Sequence, residues 1–358
     1  MNHDCLKLTT YFGERDRTEH HLVADELLDL YERHEIQASV LLRGIEGFGA
    51  KHRLRTDRLL TLSEDLPVVS VAVDTRTRIE NLFDEVLQIK RRGLVTLERA
   101  RLLEGEVPAG RIPDELGEAT KLTVYVGRQE RVGRTPAFIA VCDLLRRRGL
   151  MGATVLLGVD GTTHGLRARA RFFSRNAEVP MMIVSVGAGE DIWRVLPEVA
   201  GLLRRPLMTL ERVRMCKRDG RLLARPHELP GSDEHGLPLW QKLIVHTSES
   251  ARVEGHSLHR ELVRRLRQAN LAGATSLRGI WGFHGDHAPH GDKLLQLHRN
   301  VPVMTIVIDV PERIAAAFEI VDQLTGERGL VTSEMVPASA APSDAGSHGG
   351  LRLARHRF

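Results

Sequence analysis

The sequence is poor in the residues that usually announce a chemistry. Aromatic side chains make up only 4% of its 358 residues. That is too few for rows of exposed rings on which nucleic-acid bases stack, and the repeated strands described below carry no exposed aromatic pairs. The three cysteines, Cys5, Cys142 and Cys216, lie far apart and match neither a zinc-ligand nor a redox spacing. There is no Gly-x-Ser-x-Gly elbow and no Walker A run. No apolar run approaches the ~18 residues of a membrane span, and nothing resembles a signal peptide, so a cytoplasmic protein is expected. Net charge is only +4, which gives no overall field for nucleic acid. These absences point away from catalysis and toward a soluble binding protein.

What the chain does contain is repetition. Lys7-Leu8-Thr9 returns as Lys121-Leu122-Thr123 and Lys242-Leu243-Ile244. Gly44 and Gly47 return as Gly158 and Gly161, then as Gly279 and Gly282. Pro67-Val68-Val69 returns as Pro180-Met181-Met182 and Pro302-Val303-Met304, and Thr96-Leu97-Glu98-Arg99 as Thr209-Leu210-Glu211-Arg212 and, more loosely, Thr332-Ser333-Glu334. Three domains follow, over 1–103, 120–216 and 240–336. The Ala-, Ser-, Pro- and Gly-rich tail 337–358 is expected to be disordered.

Within the first repeat, Leu6–Phe12, Ala38–Leu42, Pro67–Val73 and the run from Gly93 read as strands. Val23, Leu27, Leu30 and Tyr31 form one helical face, with Thr18 as its expected cap, and Ile79, Leu82, Phe83 and Val86 form another. The later copies keep the second face as Ile192, Val195, Leu196, Val199 and as Ile314, Ala317, Phe318, Val321. The order β-α-β-β-α-β predicts an α+β chain of three tandem ferredoxin-like repeats. Each such sheet leaves one face open, and three copies bury those faces around a pseudo-threefold axis.

The candidate site lies at the loop after the second strand. Successive backbone N–H groups in a glycine-rich turn suit an anion. Arg43, Gly44, Gly47, Phe48 and Gly49 form that loop in the first repeat, with Lys51, Arg53 and Arg55 beyond it. Gly158 and Gly161 stand there in the second, and Arg278, Gly279, Gly282, Phe283 and Gly285 in the third. A second basic set precedes the last strand: Lys90, Arg91 and Arg92, then Arg204 and Arg205. Arg17, Arg131 and Arg252 share one aligned position after the first strand. Glu14 and Glu249 also correspond, whereas the second repeat has Arg128. Of the 51 basic residues 44 are arginine, which suits two-pronged contacts to phosphate or carboxylate. The third repeat alone adds His284, His287 and His290 with Asp286 and Asp292, a set that suits zinc or copper.

The runs Tyr11-Phe12-Gly13-Glu14, Leu42 to Gly49, Leu62 to Val69 and Gly93 to Glu98 together resemble the PII-like family catalogued as domain of unknown function 190. The third repeat keeps Arg278-Gly279-Ile280, Gly282-Phe283 and Gly329 to Thr332. The second keeps Tyr125-Val126-Gly127, Ala153 to Leu156 and Thr209 to Glu211 but lacks a counterpart of Phe48. The resemblance implies a PII-type trimer supplied by one monomeric chain. It also implies a small effector, an adenine nucleotide, in clefts between neighbouring units. The implied role is non-enzymatic regulation of a partner such as a membrane transporter or ion channel. Metal response through the third-repeat histidines, and a scaffold that binds no small ligand, remain the alternatives.

Overall fold

The computed structural model describes residues 2–49, 52–57, 65–90, 93–105, 107, 113–116, 118–168, 179–284, 290–291, 301–340 and 352–355. The first repeat runs strand Asn2–Gly13, helix α1 Val23–Arg33, strands Ala38–Arg43 and Pro67–Thr75, helix α2 Arg76–Ile89 and strand Leu94–Glu104. The second runs Ala119–Gly127, α3 Ala137–Arg147, Gly152–Leu157, Pro180–Ala188, α4 Gly189–Leu202 and Leu207–Arg218. The third runs Trp240–Ser248, α5 Leu258–Gln268, Ala274–Arg278, Pro302–Asp309, α6 Pro311–Thr325 and Leu330–Val336. In every repeat the first strand lies between the third and fourth, and the second pairs with the outer edge of the third. All these pairings are antiparallel, so each unit has the strand order 4-1-3-2.

The helices cover one face of each sheet, and the faces anticipated from helical spacing are buried. Leu27, Leu30, Ile79 and Leu82 pack in the first core, Ile192, Leu196 and Val199 in the second, and Ile314, Phe318 and Val321 in the third. The opposite sheet faces meet in one shared core, to which Val71, Val184 and Ile306 come from the three repeats in turn. Thr18 does not cap α1, which begins at Val23 behind Leu22. Its hydroxyl instead closes the preceding turn, accepting from the His21 N–H at 3.2 Å and donating to Glu26 at 2.7 Å.

Two circuits of strand pairing join the repeats. A short strand after the second strand of each unit pairs with the second strand of a neighbour. Glu46–Phe48 lies on the third repeat, Asp160–Thr163 on the first, and Trp281–His284 on the second. The fourth strands form the other circuit. Residues 101–104 pair with 207–210, residues 214–218 with 330–333, and residues 338–340 with 95–97. This last pairing corrects the expectation of disorder for residues 338–340, while 341–351 and 356–358 lie outside the described residues. Ala338–Ala340 is a strand that covers an otherwise open edge. Further on, Leu353 is buried against the first repeat's helices, and the Ala354 N–H donates to the Pro337 carbonyl at 3.0 Å. Among the described residues no helix is long and apolar enough to cross a membrane.

Candidate functional site

The glycine loops, expected to cradle an anion, are used for assembly. The Gly44, Gly158 and Gly279 N–H groups donate to the carbonyls of Pro67, Pro180 and Pro302 at 2.7, 3.0 and 2.8 Å. The next N–H groups, of Ile45, Val159 and Ile280, donate to Ser276, Leu41 and Val155 of the neighbouring repeat at 2.9, 2.8 and 2.8 Å. These donors are therefore already taken by backbone carbonyls. Gly161 and Gly282 sit so close to the facing strand that a Cβ would enter the Ser39 and Ala153 carbonyls. Gly47 has the same constraint, with the Ala274 carbonyl 2.5 Å from a built Cβ. The glycines recur because backbones meet there. Phe48 and Phe283 follow the same logic, each buried in the helix core of the neighbour it reaches. Gly49 is exposed, and Gly285 lies outside the described residues.

The basic candidates divide. Arg43 pairs with Glu14 at 2.8 Å, and Arg278 pairs with Glu249 at 2.7 Å. This arginine–glutamate pair is absent from the second repeat, which has Leu157 and Arg128. Arg131 and Arg252 are exposed and donate to the nearby carbonyls of Arg134 and Glu249, both at 2.7 Å. Arg204 and Arg205 are exposed, while Arg91 and Arg92 lie outside the described residues.

Arg17 and Lys90 instead line a cavity of about 1590 Å³ between the first and third repeats. Its volume exceeds the ~300–1,000 Å³ of ordinary ligand pockets. Trp240, Ala274, Ile306 and Ile308 give it an apolar wall from the third repeat. Tyr11, Phe12, Phe48, Arg17, Arg53 and Lys90 face it from the first. Lys90 follows the last turn of α2 and is buried, unlike the solvated helix end that a basic run suggests. Its ammonium lies 3.4 Å from the Asp16 carboxylate and 5.5 Å from the centre of the Phe12 ring. Burial lowers its pKa despite the pull of Asp16. Arg55 bridges Asp65 at 2.9 Å and Asp16 at 3.7 Å. Its guanidinium lies against Gly13, where any Cβ would displace it.

A second constellation lies where the three repeats meet. Lys7 contacts Glu98 at 2.9 Å and also Glu211. Lys121 contacts Glu211 at 3.0 Å and Glu334 at 2.6 Å. Lys242 contacts Glu334 at 2.7 Å and Glu98 at 2.5 Å. Six buried charges thus alternate around a closed ring, and every lysine joins its own repeat's glutamate to one from another repeat. Burial alone would neutralise the carboxylates, but the surrounding ammoniums hold Glu98 well below the usual range and Glu334 at about 2. The three carboxylates approach one another closely enough for a metal ion, yet the lysines already satisfy their charge. The residue four after each lysine is Tyr11, Tyr125 or His246. Burial, then the Lys121 charge, depresses His246 to about 4. The sequence showed these lysines and glutamates only as markers of repetition. The missed signal is three lysines and three glutamates recurring inside apolar strands, where a lone charge is costly.

Of the histidine set, His284 pairs at 2.6 Å with Asp219, which directly follows the second repeat's last strand, and His290 lies opposite Gly282 in strand register. His287, Asp286 and Asp292 lie outside the described residues. The cysteines are buried in separate places, and burial raises all three thiols, Cys216 to about 12.

The sequence matches the model of an uncharacterised family, domain of unknown function 190, three times, over residues 5–102, 119–215 and 240–338. Similar curated proteins are UPF0166 proteins. One from Aquifex aeolicus is 34% identical over 95 residues, which is 26% of this chain and 88% of that protein. Another from the same organism is 32% identical over 69 residues, 19% of this chain and 72% of that protein. A third, from Methanocaldococcus jannaschii, is 27% identical over 100 residues, 28% of this chain and 92% of that protein. Each of these relatives is matched over most of its own length by a segment no longer than about one repeat. The chain belongs to the family of domain of unknown function 190, of which it holds three tandem copies.

Proposed function

We propose that this chain is a PII-like regulatory protein in which three ferredoxin-like units form a pseudo-trimer within one polypeptide. It binds a small anionic effector, an adenine nucleotide, in a cleft between repeats, and the occupied cleft alters the surface offered to a partner such as a membrane transporter. The 4-1-3-2 strand order and the two closed pairing circuits support the architecture. The observation that carries the binding reading is the cleft between the first and third repeats. An apolar wall with Trp240 suits a base, and Arg17, Arg53 and Lys90 opposite suit phosphates. The loop and strand positions that recur between the repeats are mainly glycine, arginine, lysine and apolar residues, which bind and pack better than they transfer protons, so we read a sensor and not an enzyme.

A thermal-shift panel with ATP, ADP, AMP, cyclic nucleotides, zinc and copper tests this. A ligand present at ~100 times its dissociation constant and bound only by the folded chain adds roughly 2.7 kcal/mol. A clear rise in Tm with one adenine nucleotide is the expected result. A shift with metal alone would move the function to His284, His287 and His290, and a flat panel would leave a scaffold.

A further inference from the structure

Of the three charged cleft positions in the first repeat, the one filled by Lys90 is uncharged in both other repeats, and the carboxylate of Asp16 recurs only as Glu130. Asp16, Glu130 and Ala251 are structurally equivalent. Each N–H closes a turn onto a carbonyl three residues earlier, and each carbonyl receives the N–H of the first residue of the following helix, Val23, Ala137 or Leu258. Lys90, Leu203 and Gly326 are likewise equivalent as the C-caps of α2, α4 and α6. Arg55 faces Gly47 across a hairpin, as Ala168 faces Gly161 and His290 faces Gly282. The first repeat therefore has Asp16, Arg55 and Lys90 together. The second has Glu130, Ala168 and Leu203, the third Ala251, His290 and Gly326.

The junctions differ in the same sense. Where the second repeat's loop meets the first repeat, Arg167 reaches Asp160 at 3.0 Å and also contacts Asp29 of α1. The Thr162 hydroxyl there donates to the Ile36 carbonyl at 2.8 Å. That loop is bound down on its neighbour. In the first repeat Leu54 replaces Arg167 at the matching hairpin position and is exposed, and the loop's arginine turns back to Asp16 and Asp65. The large cavity opens beside it.

We infer that the chain has one anion-binding effector site, in the cleft between the first and third repeats, and that Asp16 is the internal counter-anion an incoming phosphate displaces from Lys90 and Arg55. This rests on the proposed effector reading. Asp16 lies within reach of both cations, so in the free protein their charge is held rather than offered. A phosphate that takes its place gains two cations already positioned by Phe12 and Gly13. The other two clefts have no cation at the Lys90 position.

Calorimetric titration of the whole chain with ATP, ADP and AMP tests this directly. The expected stoichiometry is one nucleotide per chain. Lys90→Met, folded by circular dichroism, should abolish that binding. Asp16→Asn should strengthen it at least a few-fold, because the competing carboxylate is gone. Glu130→Gln, at the matching place in the second repeat, should leave it unchanged. Two or three nucleotides per chain, or full binding by Lys90→Met, would overturn the single site while leaving the effector reading intact. Weaker binding by Asp16→Asn would overturn the counter-anion role. No heat with any of the three nucleotides would overturn both the inference and the reading it rests on.

Discussion

In the charged ring where they meet the three repeats are alike, and at the rim they are not. The ring of Lys7, Lys121 and Lys242 with Glu98, Glu211 and Glu334 uses the same residue types in the same roles three times. The rim joins each loop to its neighbour by a different chemistry. Glu46 and Asp57 approach Arg260 of α5 at 3.9 and 3.5 Å, Arg167 binds Asp29 and Asp160, and Trp281 meets Phe138 edge-on with ring centres 6.3 Å apart. The difference follows from what each place must do. A buried ring of alternating charges tolerates no single change, since one lost partner leaves another charge unpaired in the interior. A rim contact involves only two neighbours, and in a fused chain each junction can take its own form. Different junctions also fix which repeat meets which.

Breaking the ring should have the largest effect. Glu211→Gln removes a charge shared by Lys7 and Lys121, and a loss of about 3–5 kcal/mol is expected in a urea melt. Next comes the position four residues after each ring lysine, where the repeats disagree. His246 stands where the others have tyrosine, and it faces Lys121, Glu334 and His284. Its folded pKa of about 4 lies below the unfolded value near 6.5. The imidazole is neutral in the folded state and mostly neutral in the unfolded state at pH 7, so it costs little there. Between those two values the unfolded chain binds the extra proton, so stability falls as the pH falls. The full cost, about 3 kcal/mol, is reached below the folded pKa. His246→Tyr should flatten that part of the stability–pH curve, and an unchanged slope would assign it to other groups.

At the strand crossings, Gly161→Val should cost about 1–3 kcal/mol because the Ser39 carbonyl cannot yield, whereas Gly49→Ala, with open space around it, should stay within about 0.5 kcal/mol. Among the disruptive changes, the smallest effect is expected at the rim. Arg167→Ala leaves the buried Asp160 short of its partner and should cost about 1–2 kcal/mol, while its bonds to the exposed Asp29 and Glu32 add little. Thermal melts of the two variants, measured side by side, check that order.

The repeats and both helical faces were legible because they rest on periodicity, which the chain carries residue by residue. Val71, Val184 and Ile306 recur in register, and the shared core follows from them. The role of the glycines was not legible. A turn that cradles an anion and a strand pressed against a neighbour's backbone both require glycine, and only the partner at Ser39 or Ala153 distinguishes them. The burial of Lys90 was not legible for a related reason: its run with Arg91 and Arg92 marks a basic candidate, but Phe12 and Asp16, which bury it, lie far away in sequence. The tail residues Ala338–Ala340 have a composition that suggests disorder, and the open edge at Val95–Leu97 orders them.

The account stands on one chain closing both pairing circuits by itself. The most direct test is its mass in solution by multi-angle light scattering at micromolar concentration. A closed chain gives 40.0 kDa. A mass of three chains, dissociating together with unfolding, would show that the repeats pair between chains instead and would contradict the closed ring.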